Sequence, residues 1–182
     1  MDLELKLKLK KIKLVITDVD GVLTDGGMYY SQEGECMKKF NTKDSMGMEL
    51  LLQNKIKSIL LTRENSKIVK ERAKKIKIAE LYSNISKKEE MLPEISKKYN
   101  VTNVEIAYIG DDINDIEIMK LVGFSATPMD GNFAVKKISN YICKTNGGQG
   151  VFREISYFNI TNIILIKLTH HTTHFNNIAN NC

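Results

Sequence analysis

The chemistry this chain offers is carried by aspartates. The segment VITDVDGVLTDGG (Val15–Gly27) runs an apolar stretch straight into Asp18-Val19-Asp20 and then Gly21. Residues two apart on an extended chain point the same way, so Asp18 and Asp20 can address one ligand. Gly21 lets the chain turn sharply beside them. Two carboxylates this close repel, and a divalent cation relieves the repulsion. Magnesium takes hard oxygen ligands and keeps several waters, which suits a site shared with a phosphate. Taken alone, D-x-D-G is a common acidic surface turn.

A second cluster adds weight. Tyr108-Ile109-Gly110-Asp111-Asp112-Ile113-Asn114-Asp115 again joins an apolar stretch to acids beside a glycine, here with the glycine first. If its strand lies beside the first, Asp111 completes a metal site with Asp18 and Asp20, and Asp115 braces it from the next helical turn. The competing reading makes Asp112 and Asp115 helix N-terminal acids that complement the macrodipole. Between the clusters, Thr62 follows a second apolar run, where its hydroxyl and nearby N–H groups can hold phosphate oxygens. Lys87 and Lys88 open a later helix, and either can neutralise a phosphate. Spacing alone does not separate them.

Other chemistries are thinly supplied. The only histidines are His170, His171 and His174, near the end of the chain. That removes Ser-His and Cys-His hydrolysis from the body of the protein, along with most zinc sites. Cys36, Cys143 and Cys182 are far apart and form no C-x-x-C pair, so neither a disulfide framework nor a zinc knuckle is expected. The net charge of +5 is spread along the chain as a solvated lysine-rich surface, with no basic run interleaved with aromatics. Nucleic-acid binding is therefore not expected. No run reaches the roughly 18 apolar residues of a membrane span, and the N-terminus lacks an unbroken apolar region. A cytoplasmic protein without membrane partners is the expectation.

The elements that must position these aspartates alternate short apolar runs with helical periodicity. This pattern predicts an α/β fold: a doubly wound, mainly parallel sheet flanked by helices. Strands are expected at Ile12–Thr17, Ser58–Leu61, Ala79–Tyr82, Glu105–Ile109, Phe124–Thr127 and Tyr141–Cys143. A hairpin is expected from Met28–Tyr30 and Cys36–Phe40. Helices are expected at Asp44–Gln53 with Asp44 as N-cap, Asn65–Lys77, Ser86–Tyr99 with a possible kink at Pro93, Asp115–Val122 and Val151–Tyr157. The 182 residues divide into an N-terminal arm (1–11), one domain (12–158) and an irregular, Asn- and Thr-rich tail (159–182). In the arm, Leu3, Leu5, Leu7 and Leu9 alternate with charges, formally a strand signal but equally that of a loose arm.

In order, DVDGVLTDGG, Thr62, Lys88 and GDDINDIEIM resemble the four motifs of the haloacid dehalogenase superfamily, over Ile12 to about Tyr157. The lack of a cap-sized insertion, the hairpin GGMYYSQEGECMKKFNTKDSMGM and the late NGGQGVFRE are similar to the capless sugar-acid phosphatases. Those act on 3-deoxy-octulosonate 8-phosphate or on sialic-type nonulosonate 9-phosphates. The resemblance implies Asp18 as nucleophile, Asp20 as general acid/base, and Asp18, Asp20 (through its carbonyl) and Asp111 as magnesium contacts. It further implies Thr62 and Lys88 on the phosphoryl group, with Asp112 and Asp115 in support. It also implies a homotetramer in which the GGQG-containing tail, with Arg153, closes a neighbour's site.

The second motif departs from the usual Thr-Gly: Thr62-Arg63-Glu64 puts a side chain in place of glycine. Glu64, with Arg72 and Lys75, resembles the nonulosonate branch. KFNTKDS, which contains Thr42, Asp44 and Ser45, leans the same way, and these residues complete the expected substrate contacts. The expected reaction is removal of the terminal phosphate of a nonulosonate 9-phosphate through an aspartyl-phosphate. The alternatives are the octulosonate 8-phosphate, a phospho-acceptor receiver domain, and a non-catalytic assembly domain like the tails of animal sialic-acid cytidylyltransferases.

Overall fold

The computed structural model describes residues 3–160. His170, His171, His174, Cys182 and the greater part of the expected tail lie outside the described residues. Eight strands are present among those described: β1 (Leu14–Thr17), β2 (Tyr29–Ser31), β3 (Gly34–Met37), β4 (Lys57–Leu61), β5 (Glu80–Tyr82), β6 (Ile106–Ile109), β7 (Phe124–Thr127) and β8 (Tyr141–Ile142). Six of them form one sheet in the order β5-β4-β1-β6-β7-β8, and every pairing in it is parallel. β2 and β3 form the separate antiparallel hairpin. The architecture is the doubly wound α/β one that the alternating pattern predicts, and no cap domain interrupts the described residues, as the resemblance implies.

β1, β4, β6 and β7 are mostly Leu, Val, Ile, Ala and Phe because a parallel sheet covered on both faces has no solvent side. Period-2 alternation divides their side chains. Val15, Leu60, Ala107 and Ile109 enter one core with Leu9, Met48, Leu51, Val69 and Phe152. Leu14, Ile16, Ile59, Leu61, Ile106 and Tyr108 enter the other with Leu92, Ile95, Ile118 and Val135. Helices α1 (Leu3–Lys11), α2 (Thr42–Gln53) and α3 (Lys67–Lys75) cover the first face, together with α7 (residues 151–160). Helices α4 (Leu92–Tyr99), α5 (Ile116–Leu121) and α6 (Phe133–Ile138) cover the second. Each fully buried Leu or Ile contributes about 1.5–3 kcal/mol, so the two layers hold the strand ends in fixed register.

Several local expectations change. The leading segment is neither strand nor loose arm but helix α1. Its Leu, Lys and Glu residues are all strong helix formers. Leu5 and Leu9, four apart, pack on the core, whereas Leu3 and Leu7 face solvent. Asn159 donates from Nδ2 to the Leu9 carbonyl at 3.3 Å, tying α1 to α7. α2 starts earlier than expected, capped by Asn41, whose side chain accepts from the Lys43 N–H. Asp44, expected as that cap, is buried one turn further on. Pro93 causes no kink in a longer helix. A 3-10 turn, Lys88–Met91, leads into α4, and Pro93 occupies its first turn, where a missing N–H costs nothing. α6 carries too short an apolar pattern to stand out in the sequence.

The helical docking of the leading segment makes a measurable difference between its leucines. Leu9→Ala is expected to lower unfolding free energy by about 2–5 kcal/mol, and Leu7→Ala by less than about 0.5 kcal/mol. Urea denaturation of the two variants checks this, and equal small losses would contradict it.

Candidate active site

The order of the sheet creates the site. From β1 the chain moves outward through β4 to β5, then returns to the other side of β1 for β6, β7 and β8. Ligands of open α/β sheets bind beyond the carboxyl ends of the strands at such a reversal. Thr17 of β1 pairs with Leu60 on one side and Ile109 on the other. The Asp18 N–H then donates to the Ile109 carbonyl at 2.9 Å, which places Asp18 against the start of the second acidic motif. Asp18, Asp20, Gly21, Thr62, Arg63, Glu64, Asp111, Asp112 and Asn114 line one cleft of about 270 Å³ there.

Close approach of the two motifs depends on Gly21. Its φ is +84°, and a Cβ on it would lie 2.0 Å from Asp111 Oδ2. Only glycine meets both conditions. Thr24 organises the same loop: its Oγ1 accepts from the Gly21 and Gly26 N–H groups and donates to Asp20 Oδ1, each at 3.3 Å.

Under the cleft floor, Lys88 is fully buried and bridges Asp18 Oδ1 at 2.9 Å and Asp115 Oδ1 at 2.6 Å. Lys87 points to solvent and pairs with Glu90. The structure thus brings Lys88, not Lys87, to the aspartates. One oxygen each of Asp18, Asp111 and Asp115 lies within 4.8 Å of the others, close enough to share an ion. Asp115, however, has no oxygen to spare. Its Oδ1 accepts from Lys88 and the Tyr108 hydroxyl, and its Oδ2 from the Asp111 and Asp112 N–H groups. It holds the loop and the lysine, while Asp18 and Asp111 present oxygens to the cleft. Asp20 adds a buried Oδ2 that has no hydrogen-bond partner. These are hard oxygen donors around a polar cavity, and they fit magnesium.

Electrostatics make the same point. Burial raises the Asp18 carboxyl to about 7; Lys88 opposes the rise and Asp115 adds to it. Burial, then the charges of Asp18 and Asp115, raises Asp111 to about 8. Burial alone would lower the Lys88 ammonium, but Asp18 and Asp115 outweigh it and hold the lysine charged. With three carboxylates against one ammonium, the site takes up protons or a cation.

Not every expected site residue reaches the cleft of its own chain. Asp44 accepts from the Arg153 N–H at 3.2 Å and from Phe152, so it caps α7, and its burial raises it to about 6. Arg72 donates to the Asn41 carbonyl and to Ser45 Oγ and stacks on Phe40. Ser45 donates to the Thr42 carbonyl, and Lys75 is exposed in the last turn of α3. Arg153 packs over Tyr157 and, with Thr42, lines a separate surface hollow. Of the substrate contacts expected from the sequence, Glu64 alone lines the cleft. Arg63 fits there without strain, because the non-glycine residues with left-handed backbone among those described are Lys55, Asn84 and Asn100.

A second buried lysine carries no signal in the sequence. Lys38, just beyond β3, reaches Asp20 Oδ1 at 2.6 Å and Glu35 Oε1 at 2.7 Å with its side chain wholly enclosed. One lysine in a lysine-rich chain carries no signal of its own; only the hairpin's fold against the D-x-D segment singles it out.

Residues 46–155 match the family model of haloacid dehalogenase-like hydrolases. The chain is 37% identical over 149 residues to the 3-deoxy-D-manno-octulosonate 8-phosphate phosphatase of Haemophilus influenzae, spanning 82% of this chain and 83% of that protein. It belongs to the haloacid dehalogenase-like hydrolases. Within that family it is a phosphoric monoester hydrolase of the capless sugar-acid branch. The cobalt-bound structure of the phosphatase from Haemophilus influenzae superposes with a TM-score of 0.83 at 35% identity, covering 86% of this chain and 91% of that one. The Moraxella catarrhalis 3-deoxy-D-manno-octulosonate 8-phosphate phosphatase, in complex with magnesium, phosphate and KDO, superposes with a TM-score of 0.85. Its identity is 32%, over 93% of this chain and 98% of that one.

Two outcomes test the site. The folded pKa values of Asp18 and Asp111 lie above the ordinary 3.8, so the metal-free fold holds protons that the unfolded chain releases. Its stability therefore falls as pH rises from about 4 to about 8. Magnesium competes with those protons. The melting temperature is expected to rise clearly with magnesium at about pH 8 and far less at about pH 5; equal shifts would contradict the assignment. Separately, Lys87→Met is expected to leave activity and melting temperature near the parent values. Lys88→Met strands buried carboxylates, costing about 3–5 kcal/mol and about 100-fold or more in kcat, read by urea denaturation and steady-state assay.

Proposed function

We propose that this chain is a magnesium-dependent 3-deoxy-D-manno-octulosonate 8-phosphate phosphatase. One observation carries the reading. The curated relatives that share over four-fifths of the chain act on that eight-carbon ester, and a solved relative of the same fold holds magnesium, phosphate and KDO together. The sequence instead leans toward a nine-carbon nonulosonate, through Glu64, Arg72 and Lys75 and the segments KFNTKDS and YICKTNGGQG. Within one chain only Glu64 of these three lines the cleft; Arg72 donates to Asn41 and Ser45 instead, and Lys75 is not among the lining residues, so the relatives' substrate supports the eight-carbon reading better.

In this reading Asp18 attacks phosphorus in line, the bond from phosphorus to the sugar's terminal oxygen breaks, and Asp20 protonates that oxygen. The product on the protein is an aspartyl-phosphate. Asp20 then removes a proton from water, whose oxygen attacks phosphorus and returns Asp18 as a carboxylate with release of phosphate. Asp18 and Asp111, with the Asp20 carbonyl, would hold magnesium, which when bound would supply positive charge to offset that on the phosphoryl group. Thr62 and the Lys88 ammonium support the phosphoryl oxygens, and Asp115 keeps Lys88 aimed at Asp18. The cleft is slightly smaller than the usual range for ligand pockets. It takes the phosphoryl end, and the sugar acid extends past Glu64 to the surface. A homotetramer, with a neighbour's Arg153 approaching the carboxylate of the sugar, would complete recognition there.

The test compares kcat/KM for octulosonate 8-phosphate and a nonulosonate 9-phosphate under identical magnesium, with Asp18→Asn as the chemically dead control. A strong preference for the eight-carbon ester is expected. A strong nine-carbon preference would overturn the substrate assignment, and turnover by Asp18→Asn would remove Asp18 as nucleophile.

A further inference from the structure

We infer that Lys38 is a positioning residue for Asp20: it anchors one carboxylate oxygen so that the other faces the departing sugar oxygen. The inference rests on the reading of Asp20 as general acid/base. Three observations carry it. First, Lys38 is enclosed completely, and a buried ammonium is costly unless its donors are used. Here they are used within hydrogen-bonding distance on Asp20 and Glu35. Second, Lys38 is itself held from behind. Ser66, the N-cap of α3, donates to Glu35 Oε2 at 2.5 Å, so the chain of contacts runs from the end of a helix through the hairpin to the D-x-D loop.

Third, the two oxygens of Asp20 are treated unequally. Oδ1 receives both Lys38 and the Thr24 hydroxyl, while Oδ2 is buried without a partner in a residue that lines the cleft. Leaving a buried acceptor unsatisfied costs about 1–3 kcal/mol. A group that merely stapled the hairpin to the core would not need that asymmetry. A carboxyl that must meet a substrate oxygen would, because proton transfer in the transition state requires a fixed donor within hydrogen-bond reach.

Leaving-group dependence separates positioning from support. Octulosonate 8-phosphate expels an alkoxide and needs its proton, whereas p-nitrophenyl phosphate expels a weakly basic phenolate that leaves without one. kcat/KM reports only steps up to formation of the aspartyl-phosphate, so the later water-activating role of Asp20 does not enter. Lys38→Met is expected to lose about 10- to 100-fold on the sugar ester and several-fold at most on p-nitrophenyl phosphate, with magnesium affinity retained. Glu35→Gln, which loosens Lys38 without emptying its place, is expected to show the same split at smaller size, and it carries the test if Lys38→Met does not fold. Lys39→Met, on the exposed neighbour paired with Asp25, is expected to match the parent enzyme. Equal losses on both esters in the Lys38 and Glu35 variants would overturn the inference. Asp20→Asn reports on the underlying reading: it should show the larger split, and if it shows none, Asp20 is not the acid and the inference falls with it.

Discussion

Asp18, Asp111 and Asp115 converge beyond the ends of β1 and β6 with one buried ammonium, Lys88, among them. Such a grouping is unfavourable in any protein interior, and the architecture around it consists of measures that make it tolerable. Asp115 is saturated by donors, Lys88 is shared between two carboxylates, and the remaining negative charge is left at a polar opening where a cation or protons can answer it. The parallel sheet supplies the rigidity. Two apolar layers fix the strand register, and register fixes which acids meet.

The same economy appears on the other side of the D-x-D loop, where Lys38 is shared between Asp20 and Glu35. The cleft is thus flanked by two enclosed lysines drawn from different parts of the chain, one behind Asp18 and one behind Asp20. Each turns a flexible acid into a fixed one. Strong preorganisation of charge is what phosphoryl transfer asks of a protein, since there is little covalent work to do beyond the nucleophile.

Much of this was legible in the residues. Apolar runs ending in aspartates beside a glycine announced strands whose carboxyl ends carry Asp18 and Asp111, and the alternation of strand and helix announced a parallel sheet. Those signals are local, and so they survive translation into three dimensions. The features that escaped are the non-local ones. The leucine alternation at the N-terminus has the same spacing in a strand and in a helix that buries every fourth residue, so the packing partner decides, and α1 is the outcome. Asp44 looks like a cap for the helix that contains it, but it caps α7, more than a hundred residues away in sequence. Lys38 is invisible until the hairpin folds back. Arg72 and Lys75 carry a family resemblance that says nothing about which way α3 presents them within one chain.

The contact between Gly21 and Asp111 carries an implication for how this sequence can change over time. Because a single methyl group at position 21 would occupy the space of the Asp111 carboxylate, two stretches of chain encoded far apart are locked into one inheritable unit. Drift at either is open only to sequences that have already given up the ion. The rim, where Arg63 and Glu64 stand in the open, is under no such bond. Divergence of this scaffold toward new sugars should therefore accumulate at the mouth while the floor stays frozen.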